Sequence, residues 1–260
     1  MNLIHLPEAL AQHLSGVLDA DAIGESGMRV HRVLLHSGKI AYLKSAAPDQ
    51  AAALRDEVAR LRWLHGRVPV PQVLAYAEDK HGAHLLMSAI AGRSAIDPCF
   101  AERLPELVQA LAQALHLWHR APWQDCPFEM RLPVKLALAQ QNCAAGRVSE
   151  EDFDDERYGR SAEDVLAELL ASPAPPETPC LTHGDACLPN LLFDPQTLRL
   201  NGWIDVGGAG IADPVQDLAL CARSLAYNWG EAWVQPFFAA YGRVPEAGAL
   251  AYYRLLDEFF

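Results

Sequence analysis

The chain has 260 residues, with 33 Asp and Glu against 21 Lys and Arg, for a formal net charge of −12. That length allows one or two domains at ~150 residues each, and 51% hydrophobic with 21% charged residues excludes a disordered chain. The acidic balance disfavours nucleic acid and an anionic membrane surface, which are gripped by Lys and Arg, and leaves a cationic ligand as the natural partner.

Residues 30–35 and 40–44 read as strands joined by a turn at His36-Ser37-Gly38-Lys39. Asp49 is placed to cap a helix in which Leu54, Val58, Leu61 and His65 recur at helical spacing, ending near Gly66 before Pro69 and Pro71. Two further strands are expected over 72–77 and 84–90. Composition then shifts near Gly92, which sets the expected boundary between a β-rich part, 1–92, and a mainly helical part, 93–260.

In the second part, Leu107, Leu111, Leu115 and Trp118 mark an amphipathic helix, and another lies between Pro133 and Gly146. Residues 172–179 are a proline-rich connector. A short strand then feeds the loop His183-Gly-Asp-Ala-Cys-Leu-Pro-Asn190 and a second strand. Asn201-Gly202 reads as a turn into Trp203-Ile-Asp-Val206, and three helices finish the chain. Six cysteines without a C-x-x-C pair read as packed, reduced thiols. No stretch reaches the ~18 apolar residues of a membrane span, and the first residues lack the features of a secretion signal. A cytoplasmic protein is expected.

Phosphoryl transfer needs phosphates held in place, a metal held by oxygen ligands, and a carboxylate to receive a hydroxyl proton. A Walker loop is absent, since Gly38-Lys39 is followed by Ile40. The order His183-Gly184-Asp185, then Asn190, then Asp205 instead follows the catalytic parts of kinases, with Lys44 and Glu57 upstream in the places of the phosphate-holding Lys–Glu pair. Glu57 shares a helix face with Leu54 and Leu61, so it points partly inward and needs a cation, for which Lys44 is the obvious choice. Set against this, Asp and Asn routinely cap turns, and His183 reads as structural. A metal site from His183, Asp185 and Cys187 lacks a fourth ligand at suitable spacing.

The loop 183–190, the segment Ala212-Asp-Pro-Val-Gln-Asp-Leu-Ala219 and the tail Tyr253-Arg-Leu-Leu-Asp-Glu-Phe-Phe260 closely resemble the aminoglycoside 3'-phosphotransferases, with Tyr42-Leu-Lys44 and Leu86-Met-Ser88 adding to the likeness. The resemblance implies an α+β, protein-kinase-like two-lobe fold: a small β-rich N-terminal nucleotide-binding lobe and a larger, mainly helical C-terminal catalytic and substrate-binding lobe. It implies an enzyme that phosphorylates a hydroxyl, the 3'-hydroxyl, of antibiotics such as kanamycin or neomycin, using ATP (GTP being the other candidate) and Mg2+.

By the same resemblance Asp185 is the base, Asn190 and Asp205 hold magnesium, and Lys44, supported by Glu57, meets the phosphates. Ser26 lies in the loop over the phosphates, Tyr42 stacks on adenine, and the backbone at Ser88 and Ile90 binds its edge. Asp152, Asp154, Asp155, Arg223, Asp257, Glu258 and Phe260 surround the antibiotic. The run Glu150 to Glu156 also suits a solvated helix N-terminus. Gly208 stands where the family usually has Arg, and Ser224 to Asn228 lack its usual acidic residues. A monomer without nucleic-acid or membrane partners is expected. The alternatives are a kinase of the same fold acting on another sugar or amino alcohol, and a catalytically silent nucleotide-binding protein.

Overall fold

The computed structural model describes residues 6–18, 22–23 and 27–260. In chain order the elements are α1 (Glu8–Ala11), β1 (Leu14–Val17), β2 (Ala22–Ile23), β3 (Arg29–Leu35), β4 (Ile40–Ala46), α2 (Ala51–Leu64), β5 (Val73–Asp79), β6 (Gly82–Ser88) and β7 (Arg93–Ser94). Then come α3 (Leu104–His119), α4 (Leu132–Ala144), α5 (Ala162–Ala171), β8 (Cys180–Thr182), β9 (Leu191–Phe193), β10 (Leu200–Trp203), β11 (Gly210–Ala212), α6 (Pro214–Trp229), α7 (Val234–Tyr241) and α8 (Ala247–Asp257). Among the described residues no helix is long and apolar enough to cross a membrane. All six cysteines are free.

The chain divides into two compact units. The first runs to Arg93 and takes in Leu192–Asp194 and Asn201–Gly207; the second comprises Ser94–Leu191, Pro195–Leu200 and Gly208–Phe260. The first unit is built on an antiparallel sheet ordered β1-β3-β4-β6-β5, with β2 beside β3. Side chains alternate across a strand. Ala41 and Leu43 therefore join Leu10, Val33 and Leu86 in one core cluster, while Tyr42 and Lys44 share the opposite face of β4. Helix α2 buries Leu54, Val58, Leu61 and Leu64, and Glu57 with them.

In the second unit α4, α5, α6 and α8 bury a common core that includes Leu132, Ala139, Phe153, Val165, Leu169, Val215, Tyr252, Leu256 and Phe259. Helix α5 has no counterpart among the elements expected from sequence. Its start is fixed by Ser161 Oγ, which accepts from Asp164 N–H at 3.1 Å, and by Glu150, whose carboxylate accepts from Ala162 N–H at 2.7 Å.

Two local expectations are corrected. Asp49 does not cap α2: Gln50 occupies the N-cap position and makes no side-chain capping bond. Residues 47–50 already turn, with Gln50 N–H donating to Ala47 C=O at 2.9 Å, so Asp49 comes one residue too early. Asn201-Gly202 is not a turn either, because β10 runs through it and the chain reverses at 195–197. Gly202 serves close approach. Trp203 N–H donates to Pro69 C=O at 2.9 Å, and a Cβ on Gly202 would lie 2.9 Å from that same oxygen.

Candidate active site

The first unit gathers Lys44, Glu57 and Asp205. Lys44 is only 6% exposed, and its Nζ lies 2.8 Å from Glu57 Oε2 and 2.9 Å from Asp205 Oδ1. Burial alone would push the Lys44 ammonium down; the charges of Glu57 and Asp205 outweigh it and move the group upward, so it stays charged. Asp205 follows β10 with φ of +56°, a left-handed conformation unusual outside glycine. The bend carries its half-exposed carboxylate back to Lys44.

Tyr42, paired with Met87 across the sheet, is partly buried on the same strand face as Lys44. Ser88 is engaged by Gln72: its N–H donates to Gln72 C=O and its Oγ accepts from Gln72 N–H, both at 2.9 Å. That removes the Ser88 amide as a base contact, whereas the Ile90 amide has no partner among the described residues. Ser26 lies outside the described residues.

In the second unit β8 delivers the chain to a loop held from below by Asp217, at the start of α6. Asp217 is fully buried. Its carboxylate accepts from His183 N–H at 2.7 Å, Gly184 N–H at 2.9 Å and His119 Nε2 at 3.0 Å. Burial works to raise the Asp217 carboxyl, but His119 and the His183 amide outweigh it and hold it below the ordinary range. Gln216 Nε2 adds a bond to Gly184 C=O at 3.1 Å. Gly184 has φ of +86°, and a Cβ there would meet Gly208 C=O at 2.1 Å, so only glycine fits. His183 is buried against Trp118, and its Nδ1 accepts from Asp185 N–H at 3.3 Å.

This frame presents Asp185 and Asn190. Asn190 Nδ2 donates to Asp185 Oδ2 at 2.8 Å and to Asp185 C=O at 3.1 Å. Asn190 Oδ1 accepts nothing among the described residues, which leaves an oxygen of the kind Mg2+ takes. The Asp205 carboxylate is an oxygen donor of the same class, so the residues fit that ion. No group of three or more His, Cys, Asp and Glu gathers as a metal site among the described residues. Burial and the nearby Asp185 charge push the Cys187 thiol up, so it remains protonated and bonds to the Asp185 carboxylate.

The expected antibiotic-binding residues only partly converge. Arg223 Nη1 lies 3.6 Å from Asp154 Oδ2, and Arg223 Nη2 donates to Asp257 Oδ2. Glu258 accepts from Asp154 N–H at 3.3 Å and pairs with Arg157 at 3.3 Å. Asp152 and Asp155 are exposed and sit outside this cluster. Glu150 serves α5, as described above. Phe259 is buried, with its carbonyl held by Asn142 Nδ2 at 2.7 Å, and Phe260 stacks its ring under Lys135 Nζ at 3.8 Å. Arg157 was hidden within an acidic run; its guanidinium is buried among Asp154, Glu168 and Glu258.

Burial, reinforced by Asp154, pushes the Glu258 carboxyl up to about 7. A raised carboxyl binds its proton better in the folded state, so its stabilisation is full below the unfolded pKa and is lost as pH rises through the folded one. Thermal midpoints measured between about pH 5 and about pH 8 should fall more for the parent than for Glu258→Gln. Equal slopes would remove Glu258 as the titrating group.

Residues 22–256 match the family model described as the phosphotransferase enzyme family. An aminoglycoside 3'-phosphotransferase from Streptomyces fradiae is 39% identical over 227 residues, covering 82% of each chain. The solved structure of an aminoglycoside 3'-phosphotransferase of type VIII superposes with a TM-score of 0.86 at 37% identity, covering 95% of this chain and 94% of that one. An aminoglycoside phosphotransferase from Streptomyces rimosus, solved with ADP and streptomycin, gives a TM-score of 0.77 at 30% identity, covering 91% and 93%.

Proposed function

The chain belongs to the phosphotransferase enzyme family, among its aminoglycoside 3'-phosphotransferases, and from that membership we propose that it transfers the γ-phosphoryl group of ATP to the 3'-hydroxyl of antibiotics such as kanamycin and neomycin, conferring resistance. The observation that carries the substrate class is the cluster of Asp154, Asp257 and Glu258 carboxylates around Arg223 and Arg157, within the same unit as Asp185. A carboxylate able to receive a hydroxyl proton thus shares one unit with carboxylates able to hold ammonium groups.

The acceptor hydroxyl oxygen attacks the γ-phosphorus, the bond to the β,γ-bridging oxygen breaks, and ADP leaves. Asp185 orients the hydroxyl and receives its proton. Lys44, fixed by Glu57, meets phosphate oxygens, and Asn190 and Asp205 are the magnesium ligands. Bound magnesium supplies charge neutralisation on those oxygens. Tyr42 and the backbone near Ile90 hold the base of ATP, with GTP as the competing nucleotide. Asp154, Asp257 and Glu258 take the ammonium groups, and Arg223 orients the two aspartates. The enzyme works as a monomer in the cytoplasm.

Magnesium-dependent ADP release on adding kanamycin or neomycin tests this reading. Release with a sugar or amino alcohol and none with an aminoglycoside would select another small-molecule kinase instead. A panel of aminoglycosides with and without a 3'-hydroxyl reports the position modified. Deleting Phe259 and Phe260 removes the Asn142 tether and a buried ring, and frees the end of α8 that carries Asp257. The KM for the aminoglycoside should rise roughly tenfold, the size of a lost hydrogen bond to a charged group, with the KM for ATP little changed. An unmoved aminoglycoside KM would overturn the tail's role.

A further inference from the structure

Serine is a poor residue for a helix interior, where its hydroxyl competes for backbone groups. Ser224 nonetheless sits in the middle of α6, 8% exposed. Its Oγ reaches out of the helix and accepts from Leu188 N–H at 3.0 Å. Leu188 opens the tight turn Leu188–Asn190. The first amides of any helical turn lack partners within it. Here Asn190 N–H donates to Cys187 C=O at 3.0 Å and Pro189 has no N–H, so the Leu188 amide is the one left over.

Asn228, one turn further along α6, donates from Nδ2 to Ser224 C=O at 2.8 Å and to Ser224 Oγ at 3.4 Å. On the other side of the turn Ser94 Oγ donates to Pro189 C=O at 3.1 Å. The turn that ends on Asn190 is therefore clamped between two serine hydroxyls. Asn190 in turn holds Asp185.

We infer that Ser224 is a positioning residue for the magnesium ligand Asn190, acting through the Leu188 amide rather than by touching the antibiotic. The inference rests on Asn190 being a metal ligand, as proposed above, but not on the identity of the acceptor. Ser224→Ala leaves the Leu188 N–H buried without an acceptor, and the turn can relax by moving away from α6. Asn190 Oδ1 then loses its fixed place.

Mn2+ is the probe, its free signal followed by electron paramagnetic resonance with a non-hydrolysable ATP analogue present. Ser224→Ala should weaken Mn2+ affinity and lower kcat, each about tenfold, the scale of one unsatisfied buried donor. The aminoglycoside KM should stay within about twofold, since the clamp touches no proposed antibiotic contact. Ser224→Thr keeps the oxygen and should restore both, whereas Ser224→Val, of the same shape, should not. Unchanged Mn2+ affinity in Ser224→Ala, or Val matching Thr, overturns the inference. A parent that binds Mn2+ and nucleotide but phosphorylates no aminoglycoside would sink the proposed substrate while leaving this test readable.

Discussion

Asp185→Ala is expected to lower kcat by about 10²–10⁴-fold, the range spanned by a positioned general base, while the nucleotide dissociation constant stays within about threefold. The separation follows from what Asp185 touches. Its carboxylate receives Asn190 Nδ2 and the Cys187 thiol, and neither is assigned to the nucleotide's base or phosphates. Alanine also strips Asn190 of one of its two bonds, leaving the Asp185 carbonyl. Asp185→Asn resolves that ambiguity, because its amide oxygen can still accept from Asn190 but cannot take a proton. Equal loss in both variants assigns the effect to proton transfer. Substantial turnover in Asp185→Asn would instead reduce Asp185 to a scaffold for Asn190. Single-turnover ADP formation and calorimetric nucleotide titration supply the two numbers.

The second large effect is expected at Asp217, which lies behind the loop that presents Asp185. It accepts three donors with two oxygens and is fully buried. Asp217→Ala orphans all three, at a cost of roughly 3–5 kcal/mol, which for a chain of this size lowers the thermal midpoint by about 6–20 °C. Turnover at low temperature should also fall more than tenfold, because the freed amides belong to His183 and Gly184, beside Asp185. Asp217→Asn should behave nearly as badly, since its amide nitrogen turns a donor toward a donor. A midpoint within about 2 °C of the parent would show that water or a shifted loop satisfies those amides.

The pairing of Lys44 with Glu57 was legible because two local rules agree. Helical spacing turned Glu57 inward, and a carboxylate facing a core needs a cation. Asp217 was not legible by the same means. An Asp in the first turn of a helix that begins at Pro214 has an adequate local explanation in the helix dipole, and nothing nearby announces amides 33 and 34 residues upstream. Arg157 was obscured in a similar way, as its partner Glu258 lies 101 residues later. Gly202 shows the converse error. Asn-Gly is a strong turn signal, but the glycine is present so that a strand can pass Pro69, a demand made by a distant backbone.

The acidic surface also changed meaning. Asp154, Asp257 and Glu258 are opposed by Arg157 and Arg223. A polycation arriving there exchanges one ion pair for another rather than filling an open field of negative charge. Affinity should depend on geometry more than on net charge, with a shallow dependence on salt.

The hairpin that brings Asp205 to Lys44 has a consequence for synthesis. Strand β4 and α2 emerge early, yet their unit also needs Leu192–Asp194 and Asn201–Gly207, and the carboxylate that completes the Lys44 pair follows it by 161 residues. A domain translated first ordinarily folds first. Here the first unit stays unfinished, its lysine holding a single carboxylate and the Pro69 carbonyl waiting for Trp203, until residues 201–207 have left the ribosome. Nascent chains halted before that hairpin should remain open to protease, and those halted after it should be the first to resist.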